Sequence, residues 1–234
     1  MRSSPSSASL LPAVHLPLGR VEYGEVLALQ RSLHGARVRG EIPDTVLTVE
    51  HDPVVTIGRS GSEEEILVSE EALRGEGISL YRVERGGRIT YHGPGQLVSY
   101  PIVDLRAQSG DVKSYVRTLE QAVIDLLGEC GVEAARREGF PGVWVGTRKI
   151  ASVGVAVKRW VTFHGLALNV RVNRRHFGMI RPCGLEIEVV SLDDLVPESH
   201  ALDLLGERLV GHLAAAFHWQ VRAGDPAAVW EGVR

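Results

Sequence analysis

Apolar positions recur along this chain at two periods, and the switches between them mark out its elements. Val26, Leu29 and Leu33 fall at helical spacing and predict a helix over residues 22–36. Leu47-Thr48-Val49 and Val54-Val55-Thr56-Ile57 read as short strands on either side of His51-Asp52-Pro53. Ser69 to Arg74 reads as a short helix with acids in its first turn, ended by Gly75 or Gly77, and Ile78 to Val83 as a strand. Gly86-Gly87 breaks the chain, Arg88 to His92 is extended, Gly93-Pro94-Gly95 is a sharp turn, and Leu97 to Leu105 is a further strand. Asp111 is a good N-cap for a long helix whose stripe is Val112, Tyr115, Val116, Leu119, Val123 and Leu126. Cys130-Gly131 ends that helix, which makes Cys130 a core or cap residue.

The second half alternates with period two. Val143-Trp144-Val145, Lys149 to Val157 and Val161 to Val172 predict strands, the last two joined by a hairpin at Lys158-Arg159-Trp160. Leu202, Leu205, Leu209, Leu213 and Phe217 mark a closing helix. Strands and helices mix without a steady βαβ beat, so the fold class is α+β (mixed α/β), a mixed β-sheet flanked by helices. The Ser- and Pro-rich start, residues 1–18, reads as a disordered tail rather than an organellar transit peptide, since it lacks Arg spacing and a helical moment. Residues 19–220 read as a single catalytic domain and 221–234 as a C-terminal extension.

Composition narrows the class. The chain has 234 residues, 44% hydrophobic and 24% charged, with a net charge of −3, so neither nucleic acid nor a membrane surface is implied as a partner. No apolar run reaches the roughly 18 residues of a membrane span. Two cysteines in this length fit a reducing compartment, hence the cytoplasm. Charge is uneven: Arg136 to Arg181 holds ten Lys/Arg against one acid, Glu138, which is either a set of solvated loop and turn positions or a basic docking rim for an acidic protein.

Candidate chemistry starts at Cys183, between Pro182 and Gly184. A thiol on so tight a turn is displayed as a plausible nucleophile, or is a half-buried structural Cys. The densest site signal is Arg85-Gly86-Gly87-Arg88-Ile89-Thr90-Tyr91-His92-Gly93-Pro94-Gly95-Gln96. Its glycines let the backbone approach a ligand, while Arg88, Thr90 and His92 share one face of an extended segment and Ile89 and Tyr91 the other. The run is neither a Walker loop nor a dinucleotide fingerprint. Lys149 shares a strand face with Ala151, Val153 and Val155. Lost hydration there would make it a general base or a cation beside a thiolate, unless its head snorkels to solvent. In His164-Gly165-Leu166-Ala167-Leu168-Asn169, Gly165 and Ala167 leave a shallow apolar groove, and His164 either orients a partner or is a satisfied core residue. His92, His164, His176 and Cys183 lack metal-ligand spacing, so no metal is expected, and no G-x-S-x-G elbow is present.

Four stretches, taken in order, resemble the lipoyl(octanoyl) transferase family: Arg85-Gly86-Gly87 through Tyr91-His92-Gly93-Pro94-Gly95-Gln96-Leu97-Val98 with Tyr100-Pro101; Lys149-Ile150-Ala151-Ser152-Val153-Gly154; Phe163-His164-Gly165-Leu166-Ala167-Leu168-Asn169; and Pro182-Cys183-Gly184 with Val190-Ser191-Leu192. The resemblance implies a fold akin to the lipoate and biotin protein ligases. It implies transfer of octanoyl from octanoyl-acyl carrier protein to the lysine of lipoyl domains, in the 2-oxoacid dehydrogenase complexes and the glycine cleavage H protein, with no cofactor. By the same resemblance Cys183 carries the acyl group as a thioester and Lys149 lowers that thiol's pKa. Arg85 to His92, Ser152, Val153 and Gly154, and Gly165, Leu166 and Ala167 bind substrate. The alternatives are an ATP-dependent lipoate or biotin ligase, or a non-catalytic adaptor for carrier or lipoyl domains.

Overall fold

The structure is a computed structural model that describes residues 10–108, 110–181, 188–197 and 200–231. In chain order its elements are β1 (Leu11–Val21), α1 (Tyr23–Arg39), β2 (Asp44–His51), β3 (Val54–Ile57), α2 (Glu70–Gly75), β4 (Ser79–Arg82), β5 (Ile89–His92), β6 (Gln96–Ile102), α3 (Val112–Glu129), β7 (Ala135–Arg137), β8 (Phe140–Val145), β9 (Arg148–Lys158), β10 (Val161–Asn169), α4 (Arg174–Phe177), α5 (Leu202–Phe217), β11 (Trp219–Ala223) and α6 (Pro226–Glu231). The helices start where polar side chains can take up orphan amides. Glu22 accepts the Glu25 N–H ahead of α1, Ser69 accepts that of Ala72 in α2, and Asp111 accepts those of Lys113 and Ser114 in α3.

Eight strands form one sheet in the order β11-β1-β2-β6-β10-β9-β8-β7, and three form a second in the order β4-β3-β5. In the large sheet β1 runs parallel to both β11 and β2, and every other neighbouring pair is antiparallel. Both sheets are thus mixed, as the element pattern predicts. One face of the large sheet is covered by α3 and α5, whose Leu119, Leu126, Leu209 and Leu213 are solvent-excluded. Val26 and Leu29 of α1 pack on Leu47, Val98 and Tyr100 of the other face. The small sheet closes over its own core of Val55, Ile57, Ile89 and Tyr91, capped by Phe177 of α4.

Several boundaries differ from those read in the sequence. The tail expected over 1–18 is corrected from Leu11 onward: β1 lies inside the sheet, where Ala13 and Leu16 are buried against neighbours that composition cannot reveal. Pro17 is tolerated because β11 reaches only as far as His15, so no ladder bond is demanded on that side. At the other end, the extension expected over 221–234 is corrected too. Val221 to Ala223 belong to β11, and Val229 and Trp230 pack on the α1 core. The strand expected to run to Leu105 stops at Ile102, with Leu105 starting a single 3-10 turn capped by Asp104. The hairpin at Arg159-Trp160 has both φ positive, 52° and 66°, as a two-residue turn between right-twisted strands demands.

Candidate functional site

A cavity of about 120 Å³ opens between β9 and β10 of the large sheet and the Gly-rich loop leading into β5. Arg85, Gly86, Gly87, Arg88, Ile89, Thr90 and His92 line it from the loop side, Lys149, Ser152, Val153 and Gly154 from β9, and Gly165, Leu166 and Ala167 from β10. The stretches from β9 and β10 are direct ladder partners: Gly165 faces Gly154, Leu166 faces Val153 and Ala167 faces Ser152. Two other hollows, one by α2 and β4 and one by α1 and Trp230, gather none of the candidate residues.

Tyr91 is the predicted residue that does not border the cavity. It points into the small-sheet core, with its hydroxyl 2.8 Å from His176 Nδ1 and its ring against Phe177. Cys183 lies outside the described residues. On one side of it the Arg181 N–H donates to Glu65 O, and on the other the chain is held to a cavity wall, where Lys149 exchanges backbone hydrogen bonds with Glu188 and Val190. Val189 lines the cavity itself.

Lys149 reaches the cavity through a slip in the ladder. Val143 pairs with Ala151 and Trp144 with Lys149, so Ile150 is one residue too many on β9. Such a β-bulge reverses the alternation of side chains beyond it. This corrects the face expected from simple alternation. Ile150 and Ala151 are both buried in the α3/α5 core, while Lys149, 8% exposed, lines the cavity with Ser152 and Gly154.

The Gly-rich loop is clamped by its own arginine. Arg85 donates from Nη2 to Thr56 O at 2.7 Å and to Thr56 Oγ1 at 2.9 Å, and from Nη1 to Gly86 O. The Gly86 N–H donates across to Val155 O on β9 at 2.8 Å. Arg85 is therefore scaffold as well as wall, which alternation alone does not foretell. Arg88 donates to the buried carboxylate of Glu65 at 2.7 Å, tying the other end of the loop.

His92 has its tautomer set by a chain of amides. Asn169 Nδ2 donates to the Val190 carbonyl, which can only accept, so Asn169 Oδ1 accepts from Gln96 Nε2 at 2.9 Å. Gln96 Oε1 then faces His92 Nδ1 at 2.6 Å, which must carry the proton, leaving Nε2 as an acceptor. Burial, and next the neighbouring His51, push the His92 pKa down to about 3. His51 donates from Nδ1 to Val21 O and accepts the Tyr100 hydroxyl at Nε2, and burial takes its pKa to about 4.

His164 is not the satisfied core histidine that is commonest. It is 1% exposed with φ +56°, its N–H held by Gln30 Oε1 at 2.9 Å. Its Nε2 finds no hydrogen-bond partner among the described residues, with Glu84 Oε2 3.8 Å away. Burial and the Arg85 charge lower its pKa to about 4. Tyr23, Tyr100, Pro141 and Phe177 also line the cavity. Tyr100 belongs to a stretch that carries the family resemblance but is not among the residues it assigns to the site, and Tyr23, Pro141 and Phe177 come from segments in which no signal in the sequence singles them out.

The basic rim is smaller than its count of residues. Arg136 pairs with Glu120, Arg171 with Asp193, Arg174 with Asp194 and Arg175 with Glu76. Cys130 ends α3 half-buried against the α3/α5 core, as a core or cap residue should. Among the described residues no group of three or more His, Cys, Asp or Glu could hold a metal ion, and no helix is long and apolar enough to cross a membrane.

Comparison with known proteins matches residues 22–214 to the lipoyl protein ligase A/B catalytic domain. An octanoyltransferase of Solibacter usitatus is 47% identical over 211 residues, spanning 90% of this chain and 96% of the relative. Among solved structures, a bipartite lipoate protein ligase from Thermoplasma acidophilum superposes with a TM-score of 0.74 at 20% identity, covering 97% of this chain and 91% of that one. The biotin protein ligase of Aquifex aeolicus, with biotin and ATP, gives 0.53 at 12% identity, covering 87% and 69%. At these identities the two structures speak for the fold alone, a mixed sheet flanked by helices as the resemblance implies.

Proposed function

Because the chain belongs to the lipoyl protein ligase A/B catalytic domain family, with octanoyltransferase relatives along nearly its whole length, we propose that it moves an octanoyl group from acyl carrier protein to the lysine of lipoyl domains through a thioester on Cys183. The observation that carries this reading is the convergence of Lys149, the Arg85–His92 loop and the Ser152–Gly154 and Gly165–Ala167 stretches on one cavity, with Val189 of the chain after Cys183 beside them.

The Cys183 thiolate attacks the carbonyl of the carrier thioester, a new C–S bond forms, and the carrier's thiolate leaves. One thioester replaces another, so this step is close to balanced. The acceptor amine then attacks the Cys183 thioester, loses its proton, and expels the Cys183 thiolate, leaving an amide. Lys149 serves both halves, as an ammonium that favours the thiolate and as an amine that takes the acceptor's proton. The acyl donor is already activated, so no nucleotide enters. Binding of the tail over the small residues of β9 and β10 draws on burial of about 0.8 kcal/mol per methylene. The acceptors are lipoyl domains, including those of the 2-oxoacid dehydrogenase complexes and the H protein of glycine cleavage, in the cytoplasm.

The test is intact mass after incubation with octanoyl-carrier protein and no nucleotide, followed by peptide mapping. The expected result is one octanoyl group on Cys183 that chases to a lipoyl domain, and no adduct in Cys183→Ser. Full transfer by Cys183→Ser removes the acyl-enzyme. Transfer that needs ATP makes the protein a ligase, and binding without any adduct makes it an adaptor.

A further inference from the structure

Trp144 stands directly opposite Lys149 on the β8–β9 ladder, and the lysine Nζ lies 5.3 Å from the centroid of the indole. The lysine stem reaches that place by crossing the main chain of β8 at Gly142, whose φ is +120°. A Cβ on Gly142 would fall 2.4 Å from Ala151 O, 2.6 Å from Lys149 Cε and 3.2 Å from Nζ, so the glycine admits both the neighbouring main chain and the lysine stem. Trp144 is 2% exposed and Lys149 8%, so cation and ring meet largely out of water, where an ammonium gains most from a π face. The indole itself is fixed, since its Nε1–H donates to Phe140 O at 3.2 Å.

We propose that Trp144 is a positioning residue for Lys149: its indole face fixes where the Nζ sits at the cavity and favours the ammonium over the amine. The proposal deepens the reading in which Lys149 serves Cys183, and rests on it for its catalytic meaning. A tryptophan that only filled core would not need the lysine head above its ring.

Other charges surround the same amine and bear on its titration. Arg137 of β7 lays its guanidinium on the same aromatic pair, 5.1 Å from the Trp144 centroid and 4.7 Å from that of Phe140. Arg148 adjoins it on β9, and Glu188 follows across the bridge. Arg85, Arg88, His92 and His164 face the shared cavity. Glu120 of α3 accepts the Gly142 N–H at 2.8 Å and also binds Arg136. Arg137 shares the Trp144 ring and is disturbed with it, whereas the other charges do not rest on that ring, so the titration is read in an Arg137→Gln background as well.

Competitive labelling of amines across the alkaline range, read at Lys149 by peptide mapping, gives that amine's titration midpoint whether or not the protein transfers acyl groups. Trp144→Leu is expected to lower the midpoint by about half to one and a half pH units, and Trp144→Phe by less. Trp144→Leu also opens space in the core and can fail to fold. The same measurement is therefore made on protein carrying singly to triply fluorinated tryptophan, which drains charge from the ring face at nearly constant shape. A stepwise fall in the Lys149 midpoint supports the proposal; a midpoint unmoved along the folded fluorinated series overturns it. A wild-type protein that never acquires octanoyl on Cys183 sinks the functional reading and leaves the labelling result standing.

Discussion

A Cβ added to Gly165 would fall 2.1 Å from the Ser99 carbonyl oxygen and 2.9 Å from Pro101 Cδ. The glycine is thus required by the close approach of β6, and the groove it borders is a by-product of that contact. From the sequence, Gly165 and Ala167 look like two small residues making room for a ligand; the competing cause, a neighbouring backbone, lies some 65 positions away in the chain and leaves no local trace. Gly165→Ala should therefore cost about 1–3 kcal/mol of stability through strand displacement. Urea unfolding checks it, and an unchanged midpoint with altered acyl selectivity would mean that the glycine serves the cavity after all. The legible residues are those whose chemistry is rare in a core, Lys149, Arg85 and His92; aromatic wall residues such as Tyr23 and Phe177 are hidden among ordinary apolar positions.

Among the elements, α1, α3 and α5 were readable because their apolar stripes repeat over several turns and polar caps precede α1 and α3. β1 was not, because the Ser/Pro-rich run ahead of it and its weak alternation mimic a tail, and its burial comes from β2 and β11. The turn of Lys149 toward the cavity was hidden for a different reason. Alternation assumes an unbroken register, and one surplus residue at Ile150 is visible only when β8 is laid beside β9. Removing Ile150 should abolish octanoyl transfer and destabilise the protein strongly. Ile150→Val, which keeps the count, should cost only about 1 kcal/mol and leave transfer near the wild-type rate. A folded, active protein lacking Ile150 would show that the slip is incidental.

At the scale of the whole molecule, three buried histidines, His51, His92 and His164, gather near the cavity with pKa values lowered by burial to about 4, 3 and 4. Their unfolded value is about 6.5, so between pH 6.5 and 4 the unfolded chain binds protons that the native state refuses. Stability is then fully present above about pH 6.5 and is lost as pH falls toward the folded values, at up to about 1.4 kcal/mol per unit for each ring. Urea titrations at pH 7.5 and 5 should show a marked drop in the midpoint, with a smaller drop in a folded His51→Gln variant; a flat profile would contradict neutral burial of these rings. For the enzymologist the same burial removes a habit of interpretation. A bend in the rate near pH 6.5 is customarily credited to an imidazole, but these three rings titrate well below that pH, and under the mechanism proposed above such a bend is instead assigned to the sulfur and the amine acting as one coupled acid–base unit.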